Sequence, residues 1–279
     1  EIQAGISITN YEMLHKFDPS WFRGIVLDES SILKSFDGKT RTALIQAFRE
    51  TPYRLCCTAT PAPNDTSELA NHAEFLGVMS REDMLATFFV FEQLPHGQGT
   101  RWRLKGHAED RFYQWLASWS MSVRKPSDLG YSDDGYDLPP LSINFEFIDD
   151  EWKPDGQLFA TTLHGIQDRA SARKATVESR CQRAADIVMD EPSEPWLVWC
   201  GRNDEAELLE RLIPGAVMIE GSDTPEDKAE ALRAFAENRI RVLVTKPTIA
   251  GFGMNFQHCA RMAFVGLSDS YEQYYQAIR

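Results

Sequence analysis

The chain has 279 residues, a length that predicts about two domains, each able to bury its own core. With 43% hydrophobic and 25% charged residues it has the composition of a soluble globular protein, and no apolar run approaches the roughly 20 residues that span a bilayer. A formal net charge of −13 argues against a simple nucleic-acid coat protein, though it leaves room for a local basic groove.

The five cysteines are Cys56, Cys57, Cys181, Cys200 and Cys259. Their odd number and the lack of a CxxC pair argue against a disulfide framework and against a zinc site. Buried thiols in a reducing cytoplasm are the simpler expectation. The histidines do not cluster at ligand spacings. No secretory signal or initiator methionine is present, and the last residues read as the inside of a helix, so the chain is expected to be a fragment.

In chain order, residues 6–9 read as a short strand with a polar exit at Asn10-Tyr11-Glu12. Gly24-Ile25-Val26-Leu27-Asp28-Glu29-Ser30-Ser31 then reads as a strand buried on both faces that stops at two adjacent carboxylates. In open α/β sheets ligands bind beyond the carboxyl ends of strands. Asp28 there can hold magnesium through water, and Glu29 can polarise a water aimed at a phosphate. Alternatively, Asp28 or Ser30 caps the next helix.

Residues 40–50 read as an amphipathic helix and Tyr53 to Thr60 as another buried strand, closed by Pro61 and Pro63. Asp65-Thr66-Ser67-Glu68 has capping-box spacing and predicts a helix through about Leu76. Strand, helix, strand, helix implies one layer of a parallel sheet. Residues 79–123 read as helical and aromatic, with a hairpin or loop around Gly97 and Gly99. Trp102, Trp115 and Trp119 could stack on bases, but packing inside a helical subdomain is the expected role. A stretch rich in Asp, Gly, Ser and Pro ends at Pro140, where the domain boundary is placed: 1–140 and 141–279. Residues 141–148 alternate like a strand.

Residues 166–189 predict one helix. Ile166, Ala170, Val177, Cys181, Ala184 and Val188 fall in an apolar sector of about 60° on a helical wheel. Arg169, Arg173, Arg180 and Arg183 fall in an adjoining sector of about 80°. They could follow a phosphate backbone, or form a solvated face with partners such as Glu178. The α/β rhythm then repeats. Strands are expected at 196–200, 216–219, 240–245 and 261–265, and helices at 204–212, from Thr224-Pro225 onward, and from Tyr271.

Three segments in order, Ile8-Thr9-Asn10-Tyr11-Glu12, Asp28-Glu29-Ser30-Ser31 and Thr58-Ala59-Thr60-Pro61, resemble the first lobe of a superfamily-two helicase. Gly251-Phe252-Gly253-Met254-Asn255 and Gln276-Ala277-Ile278-Arg279 resemble the fifth and sixth motifs of its second lobe. Within that superfamily the chain most resembles Swi/Snf-like (DEAD/DEAH-type) ATPases of phages and prophages, and Leu138-Pro139-Pro140 is similar to the phrase closing their first lobe. The resemblance covers nearly the whole chain. It implies an α/β fold of two RecA-like parallel-sheet lobes, the P-loop NTPase helicase core, with the first lobe incomplete and carrying a helical insertion.

It also implies an ATP-dependent DNA helicase or translocase using ATP and Mg2+ in a bacterial or phage-infected cytoplasm. On this pattern Asp28 would coordinate the magnesium, and Glu29 would orient and deprotonate the attacking water. Thr58 and Thr60 would couple nucleotide state to the nucleic-acid track. Gly251 and Gly253 would let backbone approach the nucleotide cleft, Asn255 would link cleft to track, and Gln276 would reach toward the nucleotide. The partner implied is DNA, double-stranded by the Asp-Glu-Ser-Ser form and the Leu-Pro-Pro closure, with replication or recombination proteins as further partners and no membrane.

Two elements of the family pattern are missing. No GxxxxGK[ST] phosphate loop occurs, and in the family it precedes the first strand seen here. The family's arginine fingers lie beyond the position of Arg279. This stretch alone is therefore expected to hydrolyse ATP negligibly. The alternatives are an RNA helicase of the same superfamily and a non-hydrolysing, helicase-like interaction scaffold.

Overall fold

The computed structural model describes residues 5–35, 38–93, 99–136, 140–148, 166–251 and 254–278. The chain divides into two compact units, Glu1–Pro140 and Leu141–Arg279.

In the first unit β1 (Gly24–Asp28), α1 (Lys39–Ala47), β2 (Tyr53–Cys57) and α2 (Leu69–Leu76) follow one another, with β1 and β2 paired in parallel. The register sets Gly24 opposite Tyr53 and Asp28 opposite Cys57, so the two strands end level. Leu27 packs with Leu33, Leu44, Phe48 and Phe75 beneath the sheet. The opposite face is open: Val26 is 62%, Tyr53 65% and Leu55 53% exposed. The expectation of strands buried on both faces fails here because α1 and α2 both pack on the same side. Residues 6–9 also form no strand, and Ile6 and Ile8 are 95% exposed. A 3-10 turn, Tyr11–Lys16, follows them.

The Asp65 carboxylate accepts the Ser67 N–H at 2.7 Å and starts the turn leading into α2, as its spacing predicts. Beyond it, Ser80 caps α3 (Arg81–Phe88) by accepting the Asp83 N–H at 3.1 Å. An antiparallel hairpin, β3 (Phe89–Gln93) and β4 (Thr100–Leu104), then stands where a hairpin or loop is expected within the helical stretch, before α4 (Glu109–Ala117). Gly97 lies outside the described residues. Met84, Phe88, Phe89 and Phe112 form a core against which Trp102, Trp115 and Trp119 pack. The tryptophans are thus occupied with packing, each ring contributing a large apolar area and a contact with another aromatic ring.

The second unit begins with residues 141–148, which alternate but join no sheet; Phe145 and Phe147 are exposed. Leu138 and Pro139 lie outside the described residues. The helix expected over 166–189 is interrupted at Thr176 into α5 (Ile166–Ala175) and α6 (Val177–Asp190). In the predicted apolar sector Cys181, Ala184 and Val188 are buried and Ala170 is exposed, while the burial of Ile166 lies outside what is described.

Then come β5 (Trp196–Trp199), α7 (Asn203–Leu212), β6 (Ala216–Met218), α8 (Pro225–Ala236), β7 (Val242–Thr245), α9 (Pro247–Ala250), β8 (Arg261–Phe264) and α10 (Tyr271–Ala277). The strands form one parallel sheet in the order β6-β7-β5-β8. β5 and β7 are buried along their whole length, which explains their unbroken apolar sequence. α6 and α7 cover one face through Cys181, Val188 and Leu209, while α8, α9 and α10 cover the other through Phe235, Ala250 and Ala277. The expected α/β architecture is therefore present, with four parallel strands in this unit and two in the first among the described residues.

Candidate functional site

β1 and β2 end side by side, so the residues after them share one rim. Asp28 is exposed there, and its Oδ1 accepts the Glu29 N–H at 3.1 Å. Glu29 stands at φ 49° and ψ 51°, a left-handed conformation that only it and Asn238 adopt among the described non-glycine residues. This turns the chain sharply out of the strand into the 3-10 segment Ser30–Lys34. Tyr11 reaches back to donate its phenol to the Asp28 carbonyl at 2.5 Å. Burial, reinforced by Cys56, Asp28 and Glu29, pushes that phenol up to about 12, so it remains protonated. On the adjacent strand end, Thr58 Oγ1 accepts the Thr60 N–H at 3.1 Å, and Thr60 is buried. Asp28, Glu29, Thr58 and Thr60, predicted from separate stretches, are thus brought to one end of one sheet.

The second unit has a strand-end site of its own. The connection leaving β5 runs over one face of the sheet and that leaving β7 over the other. Such a switch point opens a crevice between the two carboxyl ends. Arg202, Asn203, Asp204, Glu207 and Lys246 line an open cavity of about 520 Å3 there. Lys246 donates to the Asn203 side-chain carbonyl. Arg202 holds Asp204 through two hydrogen bonds, of 2.8 and 2.7 Å.

Beneath this crevice lies Glu205, fully buried at the start of α7. Its Oε2 accepts the N–H groups of Gly201 at 2.8 Å and Arg202 at 3.1 Å. Its Oε1 is 2.7 Å from the Arg180 guanidinium. Arg180 also donates to the carbonyls of Arg173 and Val265. A Cβ at Gly266 would stand 2.7 Å from Glu205 Oε2, so the chain leaving β8 can pass only as glycine unless the carboxylate moves. One buried carboxylate thereby fixes the exits of β5 and β8 against α6.

The four arginines singled out on the expected helix do not form a free track. Arg169 and Arg173 both meet Asp269, at 3.3 and 2.9 Å, and Arg183 meets Glu146 at 2.8 Å. Arg180 is drawn inward to Glu205. Gly251 is buried, and a Cβ there would overlap the Pro247 carbonyl oxygen. The glycine is required by the tight end of α9. Asn255 is exposed, and Gly253 lies outside the described residues. Gln276 on α10 adjoins Ala277, which shares a core cluster with Ala250 beside Gly251, so the fifth- and sixth-motif stretches meet in one packing layer.

Sequence reading missed Tyr11, His72, Arg202, Asn203, Glu205 and Lys246. A signal was present: Lys246 directly follows the apolar strand β7, and Arg202 comes three residues after β5. No cluster of three or more His, Cys, Asp or Glu side chains suited to a metal occurs among the described residues, nor is any described helix long and apolar enough to cross a membrane. Magnesium fits the first rim nonetheless, because it is commonly held by one or two carboxylates with water and substrate phosphates rather than by a protein cage.

Residues 179–279 match the family described as helicase conserved C-terminal domain. Among solved structures, the chain is similar to the C-terminal part of the Fun30 ATPase domain, with 16% identity and a TM-score of 0.32 over 36% of this chain and 35% of that one. It therefore spans about a third of that chain. It is also similar to the Hef helicase domain of Pyrococcus furiosus, with 10% identity and a TM-score of 0.37 over 91% of this chain and 67% of that one. No curated protein matches it. The family match, together with the four-stranded parallel sheet, agrees with a RecA-like helicase C-terminal lobe.

Proposed function

We propose that the protein is an ATP-dependent helicase or translocase acting on double-stranded DNA. The observation that carries this reading is the pairing, in one chain, of a helicase-type C-terminal domain with a parallel strand that ends in exposed Asp28 and sharply turned Glu29. Asp28 would hold Mg2+ through one carboxylate oxygen, and the bound ion would neutralise charge on the ATP phosphates. Glu29 orients a water and accepts its proton. Thr58 and Thr60 sit one strand away, where a change beside the carboxylates alters their turn. In the second unit Arg202 and Lys246 face the crevice, where cationic groups at strand ends would meet the phosphate backbone. Arg169, Arg173 and Arg183 extend this basic surface by exchanging Asp269 and Glu146 for phosphate. Gln276 and Gly253 remain assigned to the nucleotide and Asn255 to coupling, on the pattern of their motifs.

The test is Glu29→Gln in the full-length protein, with ATP turnover measured without nucleic acid, with duplex DNA and with duplex RNA. Removing a general base costs about 100-fold or more in turnover. The variant should lose turnover and keep nucleotide affinity, and the wild type should respond to duplex DNA. Equal turnover in both proteins would overturn the role of Glu29. Stimulation by RNA alone would overturn the choice of DNA.

A further inference from the structure

α2 packs beneath the turn that follows Asp28, and two of its neighbouring residues are polar although fully enclosed. Asn71 is 0% and His72 3% exposed. His72 Nε2 and Ser30 Oγ share a hydrogen bond at 3.2 Å, and Ser30 is itself 0% exposed. The Asn71 side-chain amide donates to the carbonyls of Leu33 at 2.7 Å and Lys34 at 3.2 Å. The 3-10 segment Ser30–Lys34 is therefore gripped at its first residue by His72 and at its last two by Asn71.

Burying two polar side chains side by side is unfavourable unless their bonds are needed. An apolar pair at 71 and 72 would pack against Leu33 and Phe75 without that penalty. The grip coincides with the strained residue: Glu29, immediately before Ser30, holds a left-handed conformation that disfavours side chains. Such strain persists only where surrounding structure over-determines it. Within the turn itself, the Glu29 carbonyl accepts the Ile32 N–H at 3.3 Å and the Ser31 Oγ hydroxyl at 3.5 Å. Burial lowers the His72 pKa below its ordinary value, so the ring sits neutral, with one nitrogen a donor and the other an acceptor.

We propose that Asn71 and His72 form a clamp that positions Glu29 for catalysis, holding it in its left-handed conformation through the segment Ser30–Lys34. They are positioning residues and touch no substrate. The proposal rests on the reading of Glu29 as the group that activates water.

The experiment uses the full-length protein carrying His72→Leu, Ser30→Ala, His72→Gln or the double variant Ser30→Ala/His72→Leu. Two readouts are taken: steady-state ATP hydrolysis, and amide hydrogen exchange resolved over residues 29–35. For His72→Leu, misplacing the base by a fraction of an ångström should lower kcat about tenfold or more. The KM for ATP should stay within about twofold, because binding is not what the clamp supplies. Exchange should accelerate over 29–35 and stay unchanged in β1 and in the body of α2. Ser30→Ala should do the same, and the double variant should lose no more than the worse single, since both remove one bond. His72→Gln, which can still bond Ser30, should recover most of the loss. Unchanged exchange over 29–35 in both single variants would overturn the clamp whatever the turnover. Accelerated exchange with unchanged kcat would overturn its catalytic role. A wild type without ATP turnover would instead refute the reading of Glu29, while the exchange data would still decide whether the clamp exists.

Discussion

The two units hold a strand-end turn with different kinds of support. Each presents polar residues at the carboxyl ends of parallel strands, where backbone leaving the sheet must turn. In the first unit the rim groups are acidic, exposed Asp28 and half-buried Glu29, and the turn is held by neutral polar side chains on α2. In the second the crevice is mixed, with Arg202 and Lys246 beside Asp204 and Glu207, and the turn is held by a buried anion, Glu205, paired with Arg180. The supports differ for a physical reason. A buried charge needs a buried partner, and α6 supplies Arg180 in the covered second sheet. The two-stranded first sheet is open on one face, and its turn is held by amide, hydroxyl and imidazole groups, which carry no such requirement. The supporting residue beneath a strand-end site thus follows how deeply the sheet is enclosed.

Removing the anion should produce the largest effect. Breaking one partner of a buried ion pair typically costs about 3–5 kcal/mol, because the other is left uncompensated. Glu205→Ala leaves the Arg180 guanidinium without its counter-charge and strands two loop N–H groups, so it should destabilise the second unit by that order. Chemical unfolding followed by tryptophan fluorescence, reporting Trp196 and Trp199, would measure it. A loss below about 1 kcal/mol would place the pair with ordinary surface bridges. The comparison would then fail, since neither turn would depend on a buried charge.

What the sequence disclosed follows the same division. β5 and β7 were legible as unbroken apolar runs because both their faces are covered. β1 and β2 read the same way, yet Val26 and Leu55 are exposed; an apolar run does not tell what covers it. Residues 6–9 and 141–148 alternate like strands, but alternation needs a neighbour to pair with, and pairing is a property of the fold. The carboxylates of Asp28 and Glu29 were legible because two charges end an apolar run. Glu205 was not: it reads as an ordinary first-turn helix acid, and its burial depends on Arg180 and Gly266, distant in sequence. His72 was hidden likewise, since nothing local says that Ser30 lies above it. The four arginines were legible as a pattern, but Asp269 and Glu146, which hold three of them, come from other segments.

A smaller effect should separate the crevice from its support. Lys246→Ala removes a cation at the surface and should change stability by no more than about 0.5 kcal/mol. If the crevice meets phosphate, the variant should bind duplex DNA more weakly at every sequence. The slope of log affinity against log salt should fall by about 1, the signature of one lost phosphate contact. An unchanged slope would remove Lys246 from the nucleic-acid surface and leave its bond to Asn203 as a purely local one.

The smallest effect tests the strain in the acidic turn, and it does so through a reversal of sign. In a helix or strand, glycine is less stable than alanine by roughly 0.5–1 kcal/mol, because it loses more freedom on folding. At Glu29 the backbone is left-handed, where any Cβ costs about 1–2 kcal/mol and glycine pays nothing. Glu29→Gly should therefore be at least as stable as Glu29→Ala, by up to about 1.5 kcal/mol once the two terms are set against each other. Both variants lose the carboxylate and should lose turnover alike, so stability alone carries the distinction. Paired urea titrations of the two variants would decide it. If alanine proves the more stable, Glu29 is not held left-handed in solution, and the clamp beneath it has nothing to hold.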